Sequence, residues 1–436
     1  MSKPTFTAPD LDSFCLVDQL GLTVTGQRLE PHRAVLECRA REDDPWCRDC
    51  GGQGARRGTV VRPVAHVPLG WRPTILWIRV RRYRCPECQR VWRQDTSSAA
   101  APRARLSRHA VLWALKSLVI DRMSIARIAA ALASSWHTVN DAVLAAGRQL
   151  LINDPTRFNG VEVIGVDEHC WRHTGRGSHY VTVLIDLTPI RSGTGPARLL
   201  DMVEGRSKKV FKTWLDEQSQ DFRDGIQVVA MDGFTGFKTA AAEELPDAVT
   251  VMDPFHVVAL VGDALDRCRQ RVQRDTLGHR GRSGDPLYGA RRTLRTGAEL
   301  LTEPQQRRLE KVFAADEHVE VEATWSVYQK VVAAYRNPSK VQGKAQLHEV
   351  ITSLRRGVPK RLTELISLGR TFKRRAVDIL AYFDRPGTSN GPTEAINGRL
   401  EHLRGTALGF RNLTHYVTRA LLDTGGFRPY LHSHLR

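Results

Sequence analysis

The spacing of apolar and polar residues changes several times along the chain. The alternating pattern of PTILWIRVRRYRC (residues 73–85) predicts a β-strand. Between residues 103 and 150, apolar residues recur three and four positions apart, which predicts helices. Ser124 and Ser135 precede two of these helices and are typical N-cap residues. Beyond residue 160 short apolar runs return, and they predict buried strands.

The strands beyond residue 160 alternate with helices in the order β-β-β-α-β-α-β-α up to residue 275. Three antiparallel strands followed by crossover units are the element order of a ribonuclease-H-like fold. Residues 276–385 show no strand pattern and are predicted to form basic amphipathic helices. We therefore expect a multidomain α/β protein whose ribonuclease-H-like catalytic core carries a helical insertion.

The charge of the chain favours a polyanionic partner. Lys and Arg number 65 against 47 Asp and Glu, a formal net charge of +18, and more than half of this excess falls within residues 1–150. Such clustering favours nucleic acid, with simple solubility as the alternative. Because no apolar run reaches the ~20 residues that span a bilayer and the N-terminus lacks an apolar signal core, we expect a cytoplasmic protein without a membrane partner.

Four of the eight cysteines form two CxxC pairs at either end of a predicted hairpin. In an intracellular chain such pairs favour metal over disulfides, although a single CxxC can also be a redox motif. Two knuckles that close a tetrahedral Cys₄ site make a zinc ribbon, predicted here over residues 45–98. Four thiolates leave no open coordination position, so the zinc is expected to be structural. The predicted ligands are Cys47, Cys50, Cys85 and Cys88.

Residues 103–150 resemble a helix-turn-helix, because a short helix, a break at Ser134 and a second helix follow one another. In that motif the second helix enters the major groove of DNA. A plain helical linker is the alternative reading of the same pattern. The candidate DNA-contacting residues are His137, Thr138 and Asn140.

Two aspartates end strands that the predicted fold places side by side. Asp167 follows VEVIGV and Asp232 follows IQVVAM, and the carboxyl ends of such strands border the crevice of an α/β sheet. Neighbouring carboxylates repel each other unless cations join them. Two Mg²⁺ or Mn²⁺ ions, roughly 3.5–4 Å apart, meet that demand and run in-line phosphoryl displacement.

A third carboxylate is expected from a helix that packs on the sheet after its last strand. Glu394 lies in the first turn of such a helix, directly after the helix-breaking sequence SNGP. An acid there also favours the positive end of the helix dipole, which is the alternative role. The predicted catalytic triad is Asp167, Asp232 and Glu394. The predicted auxiliary residues are Asp253, His256 and Asn397.

The chain resembles bacterial insertion-sequence transposases of the ISL3 type, which are DDE enzymes. The resemblance spans roughly residues 40–425 and is carried by RRYRCPECQRVWRQ, SWHTV, VIGVDEH, VVAMDGFTGFKTAAAEELPDAVTVMDPFHVV and TSNGPTEAINGRLEHLRGTALGFRN. It implies that the three acids are catalytic and hold two metal ions. It also implies cleavage of a DNA strand at the end of the element, followed by attack of the freed 3′-hydroxyl on target DNA.

The resemblance implies double-stranded DNA as partner, both as terminal inverted repeats and as target, and a homodimer or larger assembly on paired ends. The expected location is the bacterial cytoplasm, in association with the nucleoid. Two other functions stay open, a non-catalytic DNA-binding regulator and a nuclease that cuts without joining. The expected organisation is an N-terminal lead-in (1–44), zinc ribbon (45–98), helix-turn-helix (103–150), first core part (160–275), helical insertion (276–385), second core part (386–425) and C-terminal tail (426–436).

Overall fold

The computed structural model describes residues 10–175, 177–385, 387–407 and 409–433. The chain divides into two compact units, one formed by Met1–Arg157 with Thr418–Arg436 and the other by Phe158–Val417. Both units contain helices and a sheet, so the protein is of the mixed α/β kind. Within the described ranges, no helix combines the length and the apolar character needed to cross a membrane.

A five-stranded sheet forms the body of the first unit. A short helix, α1 (Leu11–Phe14), precedes it, and its strands are β1 (Leu22–Leu29), β2 (Ala34–Ala40), β3 (Ala55–Leu69), β4 (Arg72–Arg84) and β5 (Val91–Arg93). The order is β1-β2-β4-β3 with β5 beside β4. The predicted alternation of β4 is confirmed, because Leu76, Ile78 and Val80 are buried while Arg79 between them is exposed.

The lead-in to the zinc ribbon contributes two strands of this sheet. β2 runs parallel to β4, and Leu36 lies beside Leu76 while Cys38 lies beside Ile78. All four side chains are buried in one apolar core. This pairing joins segments that are far apart in sequence, and nothing in the local pattern of residues 1–44 indicated it.

Three helices complete the described N-terminal part of the first unit. They are α2 (Arg108–Val119), α3 (Ile125–Ala131) and α4 (Trp136–Gly147). Ser124 and Ser135 cap α3 and α4 as predicted, because each side chain accepts a backbone N–H from the first turn of its helix. In the short connection between the two helices, Ala133 adopts a left-handed φ of 46°.

The second unit is built on another five-stranded sheet. Its elements are β6 (Val163–Thr174), β7 (Gly177–Asp186), α5 (Thr188–Ser192), β8 (Arg198–Glu204), α6 (Lys208–Asp216), α7 (Gln220–Gly225), β9 (Val228–Met231), α8 (Thr235–Glu244), β10 (Val249–Met252) and α9 (Pro254–Leu277). The strand order is β10-β9-β6-β7-β8. β6, β7 and β8 pair antiparallel, whereas β9 and β10 run parallel to β6. The helix predicted after β8 is two helices, because Ser219 starts α7 as its N-cap.

Helices make up all the described elements that follow. They are α10 (Pro286–Leu294), α11 (Glu303–Phe313), α12 (Val319–Arg336), α13 (Lys340–Ser353), α14 (Thr363–Asp384), α15 (Gly391–Thr406), α16 (Leu413–Thr424) and α17 (Arg428–Ser433). Residues of α9 to α14 share one apolar core, which includes Leu265, Val331 and Phe372 and reaches Met252 at the end of β10. The helical block is therefore packed directly against the edge of the sheet.

Candidate active site

Three neighbouring strands of the second sheet bring three aspartates to the same level of the sheet. Val166 pairs with Met231, and Met231 pairs with Met252. Asp167, Asp232 and Asp253 each directly follow one of these paired residues. The three acids thus lie side by side across β6, β9 and β10. Asp232 and Asp253 directly follow the last residues of β9 and β10, as predicted for Asp232. The prediction that Asp167 ends its strand is wrong, because pairing with β7 extends β6 to Thr174.

The start of α15 is held against this edge by close packing and by Asp253. Oδ1 of Asp253 accepts a hydrogen bond of 2.7 Å from the backbone N–H of Asn390. Gly165 in β6 lies under the first turn of α15, and a Cβ atom there would stand only 2.8 Å from Oγ1 of Thr393. Glycine at this position therefore permits the approach of the helix that carries Glu394.

A cavity of about 500 Å³ lies between these elements. The three predicted catalytic acids line it, together with the predicted auxiliary residues Asp253 and His256, although these residues come from segments far apart in the chain. Its lining residues are Asp167, Glu168, Asp232, Phe234, Asp253, Phe255, His256, Asn390 and Glu394. Sequence reasoning did not single out Phe234 and Phe255, which are 38% and 65% exposed and follow two of the strand-end acids by two residues.

Asp167 is the acid whose electrostatics are most perturbed. Burial raises its pKa to about 7, and the negative charges of Asp232, Glu168 and Glu394 add to that effect. The backbone N–H of Glu168 donates to its Oδ1 at 2.8 Å, which opposes the rise. Nδ2 of Asn397 donates to its Oδ2 at 2.9 Å. The predicted auxiliary residue Asn397 therefore orients the carboxylate of Asp167.

The turn after β9 fixes Asp232. Its Oδ1 accepts the backbone N–H of Phe234 at 2.8 Å. Gly233 leaves room for the neighbouring imidazole, because a Cβ atom there would stand 2.8 Å from Nε2 of His256. On the other side, Nη1 of Arg375 donates to the carbonyl oxygen of Gly233 at 3.0 Å.

Arg375 belongs to a buried ionic network in α14 that sequence reasoning missed. Arg375 and Asp378 are 2% and 1% exposed, and their side chains form a hydrogen-bonded ion pair of 2.6 Å. Asp378 also receives the ammonium group of Lys238 at 2.9 Å and the hydroxyl of Thr250 at 2.9 Å. The available signal was an Arg and an Asp three residues apart on the apolar face of a predicted helix.

Asp253 and Glu394 differ in how they are held. Asp253 is buried, and this burial raises its pKa; both of its oxygens accept backbone N–H groups, from Asn390 and from His256. It therefore acts as the N-cap of α9 and as an anchor of α15. Glu394 is exposed and has no side-chain hydrogen bond or ion pair within the described residues, so its carboxylate is available to a ligand.

The donor set fits a hard divalent cation. Carboxylate and amide oxygens are the ligands that Mg²⁺ prefers, and Oδ1 of Asn397 is buried without a partner in the described structure. The carboxylates share the cavity but are not closely gathered. Among the described residues, the four cysteines of the first unit are the only set of three or more such ligands whose atoms all lie within 4.8 Å of one another.

The cysteine cluster has the geometry of a structural zinc site. Sγ of Cys47 lies 3.4 Å from Sγ of Cys88, and Sγ of Cys50 lies 3.3 Å from Sγ of Cys85. The β3–β4 hairpin brings the two CxxC knuckles together. Backbone N–H groups of Cys50 and Asp49 lower the pKa of Cys47 to about 7, whereas the pKa values of Cys50 and Cys88 are raised beside the neighbouring sulfurs.

The residues predicted to contact DNA differ in exposure. His137 is exposed and Thr138 is half-buried at the start of α4. Asn140 is 3% exposed, and its Nδ2 donates to the carboxylate of Asp141 at 3.2 Å. Its burial follows from the helical period, which places it with Val139 and Val143 on the inner side of α4. The expectation for Asn140 is therefore corrected, because this side chain does not reach the surface.

Comparisons with known proteins match both units. A family model described as "Transposase", of the ISL3 DDE type, matches residues 164–420, and one described as "zinc-finger of transposase IS204/IS1001/IS1096/IS1165" matches residues 43–88. The transposase for insertion sequence element IS1557 of Mycobacterium tuberculosis is 26% identical over 445 residues, covering 93% of this chain and 90% of that protein. The transposase for IS1001 of Bordetella parapertussis is 26% identical over 235 residues, covering 51% and 52%.

One solved structure aligns with much of the chain. It is the Drosophila P element transposase strand transfer complex, which covers 74% of this chain and 92% of its own chain at 10% identity. Its TM-score of 0.39 is too low to support a statement about a shared fold.

Proposed function

This chain belongs to the family of ISL3-type insertion-sequence transposases, and we propose that Asp167, Asp232 and Glu394 are the DDE triad with which it cuts and joins DNA. The observation that carries the proposal is their convergence. Acids from β6, from the turn after β9 and from the first turn of α15 line one cavity, although more than 160 residues separate Asp232 from Glu394.

The residues around the triad have distinct roles in this proposal. Asp167, Asp232 and Glu394 hold the cations. The chemistry supplied by bound Mg²⁺ or Mn²⁺, two ions in our proposal, is activation of the attacking oxygen and stabilisation of the leaving oxygen. Asn397 keeps the carboxylate of Asp167 in position, and Asp253 ties the start of α15 to the sheet. His256 lines the cavity and can donate a hydrogen bond to a phosphate oxygen of the bound strand.

The sheet of the second unit supports a ribonuclease-H-like catalytic core. Three antiparallel strands, followed by two strands parallel to the first, are the pattern from which that core was predicted. In this proposal, residues 160–275 and 386–425 form the core and residues 276–385 are inserted between its two parts. The insertion separates Glu394 from the other acids in sequence without separating it from them in space.

The first unit is proposed to recognise the terminal inverted repeats. The zinc ribbon supplies a fixed hairpin, and α3 with α4 forms a helix-turn-helix whose second helix exposes Trp136 and His137 at its start. We assign base contacts to His137 and Thr138 and omit Asn140. Because the two ends of an element must be brought together, a homodimer or larger assembly on paired ends is part of the proposal.

The experiment compares the wild type with Asp232→Ala on labelled DNA that carries the sequence flanking the gene. Asp221→Ala is the matched control, since Asp221 is an exposed acid of the same unit that does not line the cavity. With Mg²⁺, nicked and joined products from the wild type and the control, absent from Asp232→Ala, support the proposal. Cutting without joining would indicate a nuclease, and binding without cutting in the wild type would indicate a regulator.

A further inference from the structure

The helical insertion contains a strongly basic segment that the proposed triad does not use. It runs from the end of α13 into α14 and has a single acid, Glu364. Its basic residues are Arg355, Arg356, Lys360, Arg361, Arg370, Lys373 and Arg374. All of these side chains are exposed. The segment therefore presents a surface of one sign of charge.

None of these basic side chains has a hydrogen-bond or ion-pair partner among the residues that the structure describes. The one acid is already engaged, because both oxygens of Glu364 accept from Arg271 at 2.9 and 3.0 Å. Lys208 and Lys212 of the same unit, by contrast, share Glu243 as their partner. The basic segment thus combines seven exposed cations with no acid free to pair with them.

The spacing on α14 concentrates the charge on one face. Arg370, Lys373 and Arg374 are three and four residues apart, so they project from the same side of the helix. Val377, one turn further on, is 77% exposed, whereas Phe372 and Arg375 are buried on the other side. Like charges at this spacing destabilise an isolated helix. A bound polyanion would relieve that repulsion.

The same helix is fixed to the candidate active site. Arg375, the residue after Arg374, reaches the carbonyl oxygen of Gly233 beside Asp232. Asp378, one turn further, reaches Thr250 in β10. We define the basic face as Arg370, Lys373 and Arg374 on α14 together with the preceding loop cations Arg355, Arg356, Lys360 and Arg361. The helix that carries the first three is therefore hydrogen-bonded to the turn that follows Asp232.

We propose that this basic face binds the phosphodiester backbone of the DNA on which the protein acts, outside the cavity. The inference rests on the proposed function, which makes DNA the substrate. Charge complementarity selects a polyanion, and the proposed contacts are from ammonium and guanidinium groups to phosphate oxygens, which are the same at every base pair. Its contribution is therefore a sequence-independent contact that keeps the duplex on the second unit and is strongly dependent on salt.

The test measures the salt dependence of binding by the full-length protein. A labelled duplex is titrated without added Mg²⁺, so that cutting does not interfere, at several salt concentrations. The variant is Arg370→Gln/Lys373→Gln/Arg374→Gln. The matched control is Arg307→Gln/Arg308→Gln/Lys311→Gln, which removes the same charge from exposed positions on α11, where acids such as Glu303 lie nearby. Melting temperatures show that both variants are folded.

The expected result is a slope of log K against log salt that is shallower by about 3 in the α14 variant and by less than about 1 in the α11 control, because each lost phosphate contact removes about 1 from the slope. The inference would be overturned if both variants gave the same slope, or if the α14 variant kept the slope of the wild type. Lys373→Gln alone should make the slope shallower by about 1, which provides a second test should the triple variant unfold.

Failure of this inference is distinguishable from failure of the proposed function. If the wild type nicks DNA with Mg²⁺ but the α14 variant keeps the wild-type slope, only the basic face is wrongly assigned. If the wild type binds DNA and never nicks it, the catalytic proposal fails, whatever the slopes show.

Discussion

Nη1 of Arg375 donates a hydrogen bond of 3.0 Å to the carbonyl oxygen of Gly233, although 142 residues separate them. Gly233 directly follows Asp232, so the conformation of that turn depends on α14. Asp378, buried on the same helix, forms ion pairs with both Arg375 and Lys238. α14 is thus part of the support of the site.

The first prediction concerns Arg375→Met. Loss of the hydrogen bond to Gly233 frees the turn that positions Asp232. A misplacement of a catalytic group by about 1 Å can cost on the order of 100-fold in rate. We expect the nicking rate to fall at least tenfold and the Mg²⁺ concentration for half-maximal nicking to rise. Arg375→Lys should restore part of the rate and bring the Mg²⁺ midpoint part of the way back to the wild-type value. Breaking a buried pair also destabilises, by about 3–5 kcal/mol, so nicking is measured at a temperature where circular dichroism shows the variant folded.

The Mg²⁺ midpoint separates positioning from general destabilisation. A variant that is merely less folded loses activity in proportion to its folded fraction at every Mg²⁺ concentration. An unchanged midpoint in Arg375→Met would therefore leave Arg375 with a structural role alone. Arg307→Met on α11, an exposed site away from the cavity, serves as the control.

The second prediction concerns Glu394→Gln, which separates the catalytic role from the helix-dipole role. The side chain is exposed and without a partner in the described structure, so the change costs only the dipole interaction, about 0.3–1 kcal/mol. We expect nicking to be lost, DNA binding to be retained and the melting temperature to change little. Nicking at the wild-type rate would return Glu394 to the role of a first-turn acid.

A suitable control for Glu394→Gln lies in the same helix. Glu401→Gln also removes one acid from α15, but Glu401 does not line the cavity and pairs with Arg404. The control should nick like the wild type. Loss of nicking in both variants would show that the charge of α15, and not a specific carboxylate, matters.

The third prediction follows from the raised pKa of Asp167. Its folded-state pKa is about 7 against a value of 3.8 for the exposed group, so between these values the folded protein holds a proton that the unfolded chain does not. Stability without Mg²⁺ therefore falls as pH rises through this window. Asp167→Asn removes that dependence, and we expect its stability relative to wild type to grow from pH 5 to pH 8 by on the order of 2 kcal/mol.

Thermal unfolding of both proteins at the two pH values, in buffer without added Mg²⁺, checks this. The zinc site is present in both, so the difference between the two proteins isolates Asp167. A difference that is the same at pH 5 and pH 8 would contradict the raised pKa. In the wild type, Mg²⁺ should stabilise more at pH 8 than at pH 5, since it binds the deprotonated carboxylate.

Local patterns explain why some of these features could be predicted from sequence. Asp167 and Asp232 come together because β6 and β9 pair in parallel with Val166 beside Met231, and the identity of both strands follows from short apolar runs. Ser124 and Ser135 cap their helices through contacts within three residues. Each of these inferences depends on hydrogen bonding or periodicity over a few positions, which the sequence displays directly.

Features that depend on docking between distant segments could not be predicted in this way. The contact from Arg375 to Gly233 exists only because α14 packs beside β10, and the sequence around Arg375 shows merely a charged helix. The parallel pairing of β2 with β4 likewise depends on non-local register. Asn140 was misassigned because its motif position suggested a DNA contact while the helical period buries it.

The fourth prediction concerns the zinc site of the first unit. Cys85 is fully buried among the four sulfurs, and Cys85→Ser removes one ligand of a closed site. A structural zinc can contribute on the order of 10 kcal/mol to folding, so we expect loss of bound zinc, a lower melting temperature and weaker binding to the inverted repeats. Cys170→Ser, outside the cluster, is the control and should retain zinc. Because the ligands bind as thiolates, zinc release from the wild type should increase as pH falls.

Elemental analysis of the purified proteins gives the decisive measurement. A full complement of zinc in Cys85→Ser, with an unchanged melting temperature, would exclude a structural four-cysteine site.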